Sequence, residues 1–189
     1  MRRKNEYQIT EFCHNFIRKH VSLGDICIDA TAGNGNDTEF LCSLAGTTGK
    51  VYAFDVQEEA VLHTKERLNA GGYTAEIILD GHEHMKKYIQ EPGQISCIVF
   101  NFGYLPGGDH ALSTKADTSI AAIEAGLELL KPGGLMSLCI YSGGDTGFEE
   151  KDAILRYIKE LNPKEYTVIV NEYYNRENNP PIPAFIFKR

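Results

Sequence analysis

A chain of 189 residues, 42% of them hydrophobic, is long enough for one domain with a substantial core and short for two. Its net charge of −7 excludes wholesale, sequence-independent nucleic-acid binding, which rests on neutralising phosphates, and leaves only local basic clusters at Arg2, Arg3 and Lys4, at Arg18, Lys19 and His20, or at Lys188 and Arg189. No run approaches the roughly 20 apolar residues of a membrane helix, and the first residues, Met-Arg-Arg-Lys, lead into polar sequence instead of an apolar signal core, so a cytoplasmic protein away from membranes is expected.

The elements follow in order. Ile9, Phe12, Cys13, Phe16, Ile17 and Val21 have helical spacing and predict an amphipathic helix over about 6–21 that covers one face of a sheet. Strands and helices then alternate: strand 25–30, helix 36–45, strand 50–55, helix 57–69, strand 75–80, short helix 83–90, strand 95–101, helix 116–130, strand 134–141 and helix 148–160. Gly71-Gly72, Pro92-Gly93, Lys131-Pro-Gly-Gly134 and Asn162-Pro163 punctuate the boundaries. Such alternation predicts an α/β fold, a mostly parallel twisted sheet with helices on both faces. The last two strands, 165–172 and 183–188, are joined by a polar loop without a helix and should pair antiparallel, because a parallel return needs a longer crossover. No internal repeat or linker divides residues 1–189. The five cysteines are odd in number and sit in apolar runs, so they read as buried thiols.

The chemistry begins at Ile26-Cys-Ile-Asp-Ala-Thr-Ala-Gly-Asn-Gly-Asn-Asp-Thr38, a strand that runs into a glycine turn and a helix. Gly33 and Gly35 let the backbone pass close to a ligand, and Asn34 and Asn36 tolerate left-handed geometry and offer amides. Asp55 closes the next strand, twenty positions past Gly35, where nucleoside-binding folds place a carboxylate for ribose hydroxyls. A dinucleotide fingerprint has a third glycine beside the pyrophosphate; here Asn36-Asp37-Thr38 follows instead. Asp29 and Asp37 would repel a pyrophosphate and attract the ammonium and sulfonium of S-adenosylmethionine, so the charge sign favours the methyl donor. Asp37 reads either as a ligand contact or as an acid stabilising the helix start.

The third strand ends in Asp80-Gly81-His82, where Gly81 and His82 are candidates for the adenine wall. His82, Glu83 and His84 resemble a metal cluster but have no third ligand at helical spacing, and no metal site is assigned. The fourth strand runs into Asn101-Phe-Gly-Tyr-Leu-Pro-Gly-Gly-Asp109, in the crevice where open α/β sheets bind ligands. Asn101-Phe102-Gly103-Tyr104 resembles the Asn/Asp-Pro-Pro-Tyr/Phe motif of methyltransferases acting on amino nitrogens, with both prolines replaced. Asn101 would accept a hydrogen bond from the target amine, Tyr104 would pack on the substrate, and Asp109 would orient the amine or take its proton. Phe102, Tyr104 or Tyr173 and Tyr174 could supply a flat surface for a flipped base. Tyr141-Ser-Gly-Gly-Asp-Thr-Gly-Phe148 is either another wall or a tight turn.

Together with Lys131-Pro-Gly-Gly134, Asn178-Asn-Pro-Pro-Ile-Pro-Ala184 and the closing hairpin, these motifs make the whole chain resemble the MnmM family. These are small bacterial Rossmann-like class I methyltransferases, labelled rRNA methylases and associated with methylating 5-aminomethyl-2-thiouridine at the tRNA wobble position. The resemblance implies that Asn34, Asn36, Asp37, Asp55, Gln57 and His82 hold S-adenosylmethionine. It implies that Asn101, Tyr104 and Asp109 face the wobble nucleotide of a tRNA anticodon loop. Relatives are expected to carry a histidine beside the glycine pair of Ser142-Gly-Gly-Asp145, and this chain has none. A ribosomal RNA, a small-molecule amine, a silent cofactor-binding partner and a dinucleotide-dependent oxidoreductase stand as the rival readings, and monomer and homodimer are both open.

Overall fold

In a computed structural model, residues 7–103, 114–142 and 144–189 are described. Tyr104 and Asp109, and the basic cluster at Arg2, Arg3 and Lys4, lie outside them.

Seven strands form one sheet in the order β3-β2-β1-β4-β5-β7-β6. Strands β1 (Ile26–Asp29), β2 (Lys50–Asp55), β3 (Glu76–Leu79), β4 (Ile95–Phe102) and β5 (Leu130–Ile140) run parallel. Strand β7 (Ile182–Lys188) lies antiparallel between β5 and β6 (Tyr166–Val170), which gives the expected reversed hairpin. Helices α1 (Ile9–Ile17), α2 (Asn36–Ala45) and α3 (Glu58–Gly71) cover one face, while α4 (Ala116–Leu129), α5 (Gly144–Lys159) and the 3-10 helix His82–Lys87 cover the other.

Strand periodicity decides which side chain meets which layer. Along β4, Cys97 and Val99 enter the core under α1 and α2, and Ile98, Phe100 and Phe102 enter the core under α4 and α5. The same alternation carries Asn101 to the α1 and α2 side. That parity places the residue with the most chemistry on β4 opposite the first turn of α2.

Three boundaries differ by four residues from the sequence expectation. Helix α1 stops at Ile17 because His20 turns its ring nitrogen Nδ1 onto the Phe16 carbonyl at 2.9 Å, yet Val21 is still buried. Strand β5 begins at Leu130, with Lys131-Pro-Gly-Gly134 taken up as a bulge: Ile95 pairs with Leu130 and Cys97 with Leu135, and Gly133 has φ +79°. Helix α5 begins at Gly144 instead of 148, leaving little loop after β5.

Candidate active site

The carboxyl ends of β1, β2 and β4 bring Asp29, Asp55 and Asn101 to one edge of the sheet. The turn between β1 and α2 holds Gly33 at φ +52° and Gly35 at φ +74°. Gly35 has a second constraint: a Cβ there would stand 2.9 Å from Thr64 Cα on α3. The close helix approach that a third glycine secures in a dinucleotide site is thus supplied by Gly35, against α3. That helix also braces the turn, because Thr64 Oγ1 donates to Gly33 O at 3.2 Å and Arg67 Nε donates to Asn34 O at 2.6 Å. Asn34 and Asn36 line an open groove of about 720 Å³ between α2 and α3, together with Glu39, His63 and Arg67.

Asp55 ties the turn to the start of α3. Its Oδ2 accepts the Gly33 N–H at 2.9 Å and its Oδ1 accepts the Gln57 N–H at 3.0 Å. A carboxylate has about four lone-pair sites, so among the described residues two are left for ligand hydroxyls. Gln57 enters through its backbone, at the N-cap of α3.

Asp29 is wholly buried beneath the turn, where Thr38 Oγ1 donates to it at 2.6 Å and the Thr31 N–H at 3.1 Å. Burial, and then the charge of Asp37, push its carboxyl up to about 7 in spite of those two bonds. With no exposed surface, Asp29 could reach a ligand only through its field, and Thr38, also fully buried, braces it.

Asp37, on the first turn of α2, divides its oxygens between two elements. His14 Nε2 of α1 donates to Oδ1 at 2.6 Å, and Asn101 Nδ2 donates to Oδ2 at 2.7 Å. A carboxylate only accepts, so the Asn101 amide nitrogen must face Asp37 and its Oδ1 is turned away. The Asn101 backbone is also fixed, its N–H donating to Thr31 Oγ1 at 2.8 Å. The arrangement presents a hydrogen-bond acceptor at the sheet edge.

His82 is buried with its Nδ1 on the Ala30 carbonyl at 3.2 Å, and burial lowers its pKa, so the neutral ring carries its proton on Nδ1. Gly81 N–H donates to Asp80 Oδ1 at 2.7 Å, and Asp80 also receives His84 at 2.8 Å. His82 and His84 thus turn to different partners. Phe102, read as a platform for a base, is fully buried against Phe100 and His82; its parity on β4 sends it into the core. The sequence reading missed His14, Thr31, Thr64 and Arg67. Each acts across elements, and spacing along one helix or turn gives no signal of that.

The residues suit a cofactor with a ribose and a positive charge. A carboxylate with acceptor sites left ends β2, two more acids stand at the turn, and among the described residues no Lys or Arg is ion-paired with Asp29 or Asp37. The reversed β7, in the place where a doubly wound dehydrogenase would carry a further parallel strand, completes the assignment. The protein is a class I S-adenosylmethionine-dependent methyltransferase.

Residues 51–187 match the family described as "Putative rRNA methylase". A Clostridium thermocellum crystal structure given the same description has a TM-score of 0.93 at 42% identity, covering 96% of this chain and 98% of that one. A Streptococcus mutans protein described as a methyltransferase and crystallised with SAH has a TM-score of 0.88 at 41% identity, with coverage of 96% and 98%. The chloroplastic tRNA (mnm(5)s(2)U34)-methyltransferase of Arabidopsis thaliana is 33% identical over 95% of this chain and 69% of its own length. The chain belongs to this rRNA methylase family. When bound, S-adenosylmethionine supplies an electrophilic methyl group; the protein supplies the cradle and the orientation.

Proposed function

We propose that this protein methylates the aminomethyl nitrogen of 5-aminomethyl-2-thiouridine at the wobble position of tRNA, forming 5-methylaminomethyl-2-thiouridine in the cytoplasm. The observation that carries the reading is the Asn101 amide, held by Asp37 with its oxygen turned outward. An amine acceptor has N–H groups to donate and must keep its lone pair for the incoming carbon, so an amide oxygen is a suitable partner. The displacement forms the carbon–nitrogen bond as the carbon–sulfur bond breaks, and the nitrogen then sheds a proton. It requires an unprotonated amine in line, so orientation contributes more than a dedicated base. Tyr104 and Asp109 keep the roles that the resemblance implies, facing the nucleotide.

The activity named for the Arabidopsis relative supports this choice of acceptor. A loop of RNA as partner is supported by the segment between β6 and β7, which stands at the same sheet edge, where Ser142 Oγ donates to Asn179 O at 3.2 Å. There Tyr174 is 98% exposed, and the Arg176 guanidinium lies 3.9 Å over the Tyr173 ring. Unpaired bases stack on such surfaces. Lys188 is excluded from this role, because it lies opposite Tyr166 at the far edge and its Nζ donates to Leu127 O at 2.7 Å.

Nucleoside mass spectrometry of tRNA from cells lacking the gene tests the proposal. Loss of 5-methylaminomethyl-2-thiouridine with accumulation of its aminomethyl precursor is expected. Unchanged modified nucleoside would overturn it, and loss of a methylated ribosomal nucleoside instead would transfer the activity to rRNA.

A further inference from the structure

We infer that His14, on the N-terminal helix, is a positioning residue for methyl transfer: it acts through Asp37 to hold the Asn101 amide with its oxygen toward the acceptor amine. The inference rests on the role given to Asn101 above.

Three contacts carry it. His14 Nε2 and Asp37 Oδ1 are 2.6 Å apart, Asp37 Oδ2 and Asn101 Nδ2 are 2.7 Å apart, and both His14 and Asp37 are nearly enclosed, with 13% and 14% of their side-chain surface exposed. The His14 ring is itself held: it stacks on Phe40 of α2 with centroids 3.7 Å apart and planes 8° from parallel. Beneath it α1 is seated by Ile9, Cys13 and Ile17, all buried.

Among the described residues Asp37 has two donors on one carboxylate, and each fixes the oxygen it holds. Without His14, Oδ1 loses its partner in a poorly hydrated place, where a charged acceptor gains from turning toward another donor. The rotation that frees Oδ1 also releases Oδ2 from Asn101. The Asn101 side chain could then flip and offer an NH₂ group where an acceptor is needed, since the two ends of an amide are nearly the same shape and differ only in hydrogen-bonding sense. Loss of His14 should therefore reduce turnover more than it reduces cofactor binding, because Asp55 and the Gly33–Gly35 turn are held by other contacts.

Two variants of the full chain separate orientation from packing. His14→Leu keeps an apolar side chain against Phe40 and removes the donor; His14→Gln returns an amide N–H from about the place of Nε2. Affinity for S-adenosylmethionine and for SAH is measured by calorimetry, and kcat and KM with an anticodon stem-loop RNA that carries 5-aminomethyl-2-thiouridine at the wobble position, alongside Asn101→Ala. Expected for His14→Leu is a fall in kcat on the order of 10- to 100-fold with cofactor Kd within about 3-fold of wild type, and for His14→Gln a recovery to within about 5-fold in kcat. Wild-type kcat in His14→Leu, a His14→Gln variant as impaired as His14→Leu, or loss of cofactor binding together with turnover would each overturn the inference. Failure of the underlying reading looks different: Asn101→Ala would then keep wild-type turnover, or wild type itself would methylate no RNA.

Discussion

Asp29 and Asp55 end neighbouring strands, yet their surroundings give them different work. Asp29 has its carboxyl raised to about 7, by burial first and Asp37 second, against roughly 3.9 for an exposed aspartate. Between those values the folded protein holds a proton that the unfolded chain has released, so stability is lost as pH rises through that window. Asp29→Asn removes the titrating charge and leaves an amide for Thr38 and Thr31. The cofactor-free variant should therefore gain in Tm over wild type at pH 8 and gain little at pH 5, a difference that thermal denaturation at the two values measures. An equal shift at both would mean that the carboxyl is not held up by its burial. Asp55, half-exposed at the cleft, is expected to act by contact. Asp55→Ala should abolish S-adenosylmethionine binding in a calorimetric titration, because it removes the ribose acceptor and also frees the Gly33 and Gln57 amides. Asn101→Ala should leave binding within a few-fold and lower turnover by about 100-fold or more, the pattern of a group that serves only the acceptor. The reverse pattern would exchange the two assignments.

At the scale of elements, Gly35 and Gly72 share a positive φ, +74° and +71°, and differ in what surrounds them. A Cβ on Gly72, past the end of α3, meets nothing within 4 Å, whereas on Gly35 it meets the α3 backbone at 2.9 Å. Gly72→Ala should lower stability by about 1 kcal/mol, the cost of left-handed backbone alone, with cofactor affinity unchanged. Gly35→Ala should lose more stability and at least tenfold in affinity, since α3 would be pushed off the turn it braces. Equal losses in chemical denaturation would mean that the packing contributes nothing. This contact also marks where sequence reading ends. The helix 36–45 and the strand 50–55 were legible to the residue because a glycine turn, a periodic apolar face and an acid at the strand end are all local signals. From sequence, Lys131-Pro-Gly-Gly134 predicts a simple helix end and not the bulge, since glycine and proline mark a break without saying whether the chain stays in the ladder. The role of Gly35 against α3 needed a contact across about thirty residues of chain, which no window of periodicity contains.

For the whole molecule, the three-layer plan followed from alternation of helices and strands, and the antiparallel close from a loop too short for a crossover. The cluster of His14, Asp37 and Asn101 did not follow, because it joins three elements whose juxtaposition depends on sheet order. The same three-dimensional parity gives an outcome for the cysteines that spacing alone left as five separate buried thiols. Cys27, Cys97 and Cys139 point from β1, β4 and β5 to one face, and Cys13 and Cys42 descend on them from α1 and α2, so all five belong to a single core. Cys13 and Cys139 are 3.5 Å apart between α1 and β5. Burial pushes the Cys97 thiol well above its ordinary range, and Cys139, beside Cys13, is raised likewise, so neither forms the reactive thiolate while folded. If α1 belongs to the same cooperative unit as the sheet, every thiol waits on the same opening. Native protein treated with excess aromatic disulfide reagent should modify all five in one slow phase whose rate equals that of global unfolding, and denatured protein should modify them at once. Peptide mass spectrometry of partly reacted samples checks this. Earlier labelling of Cys13 and Cys139 than of Cys27 and Cys97 would show α1 undocking by itself, and with it His14 leaving Asp37.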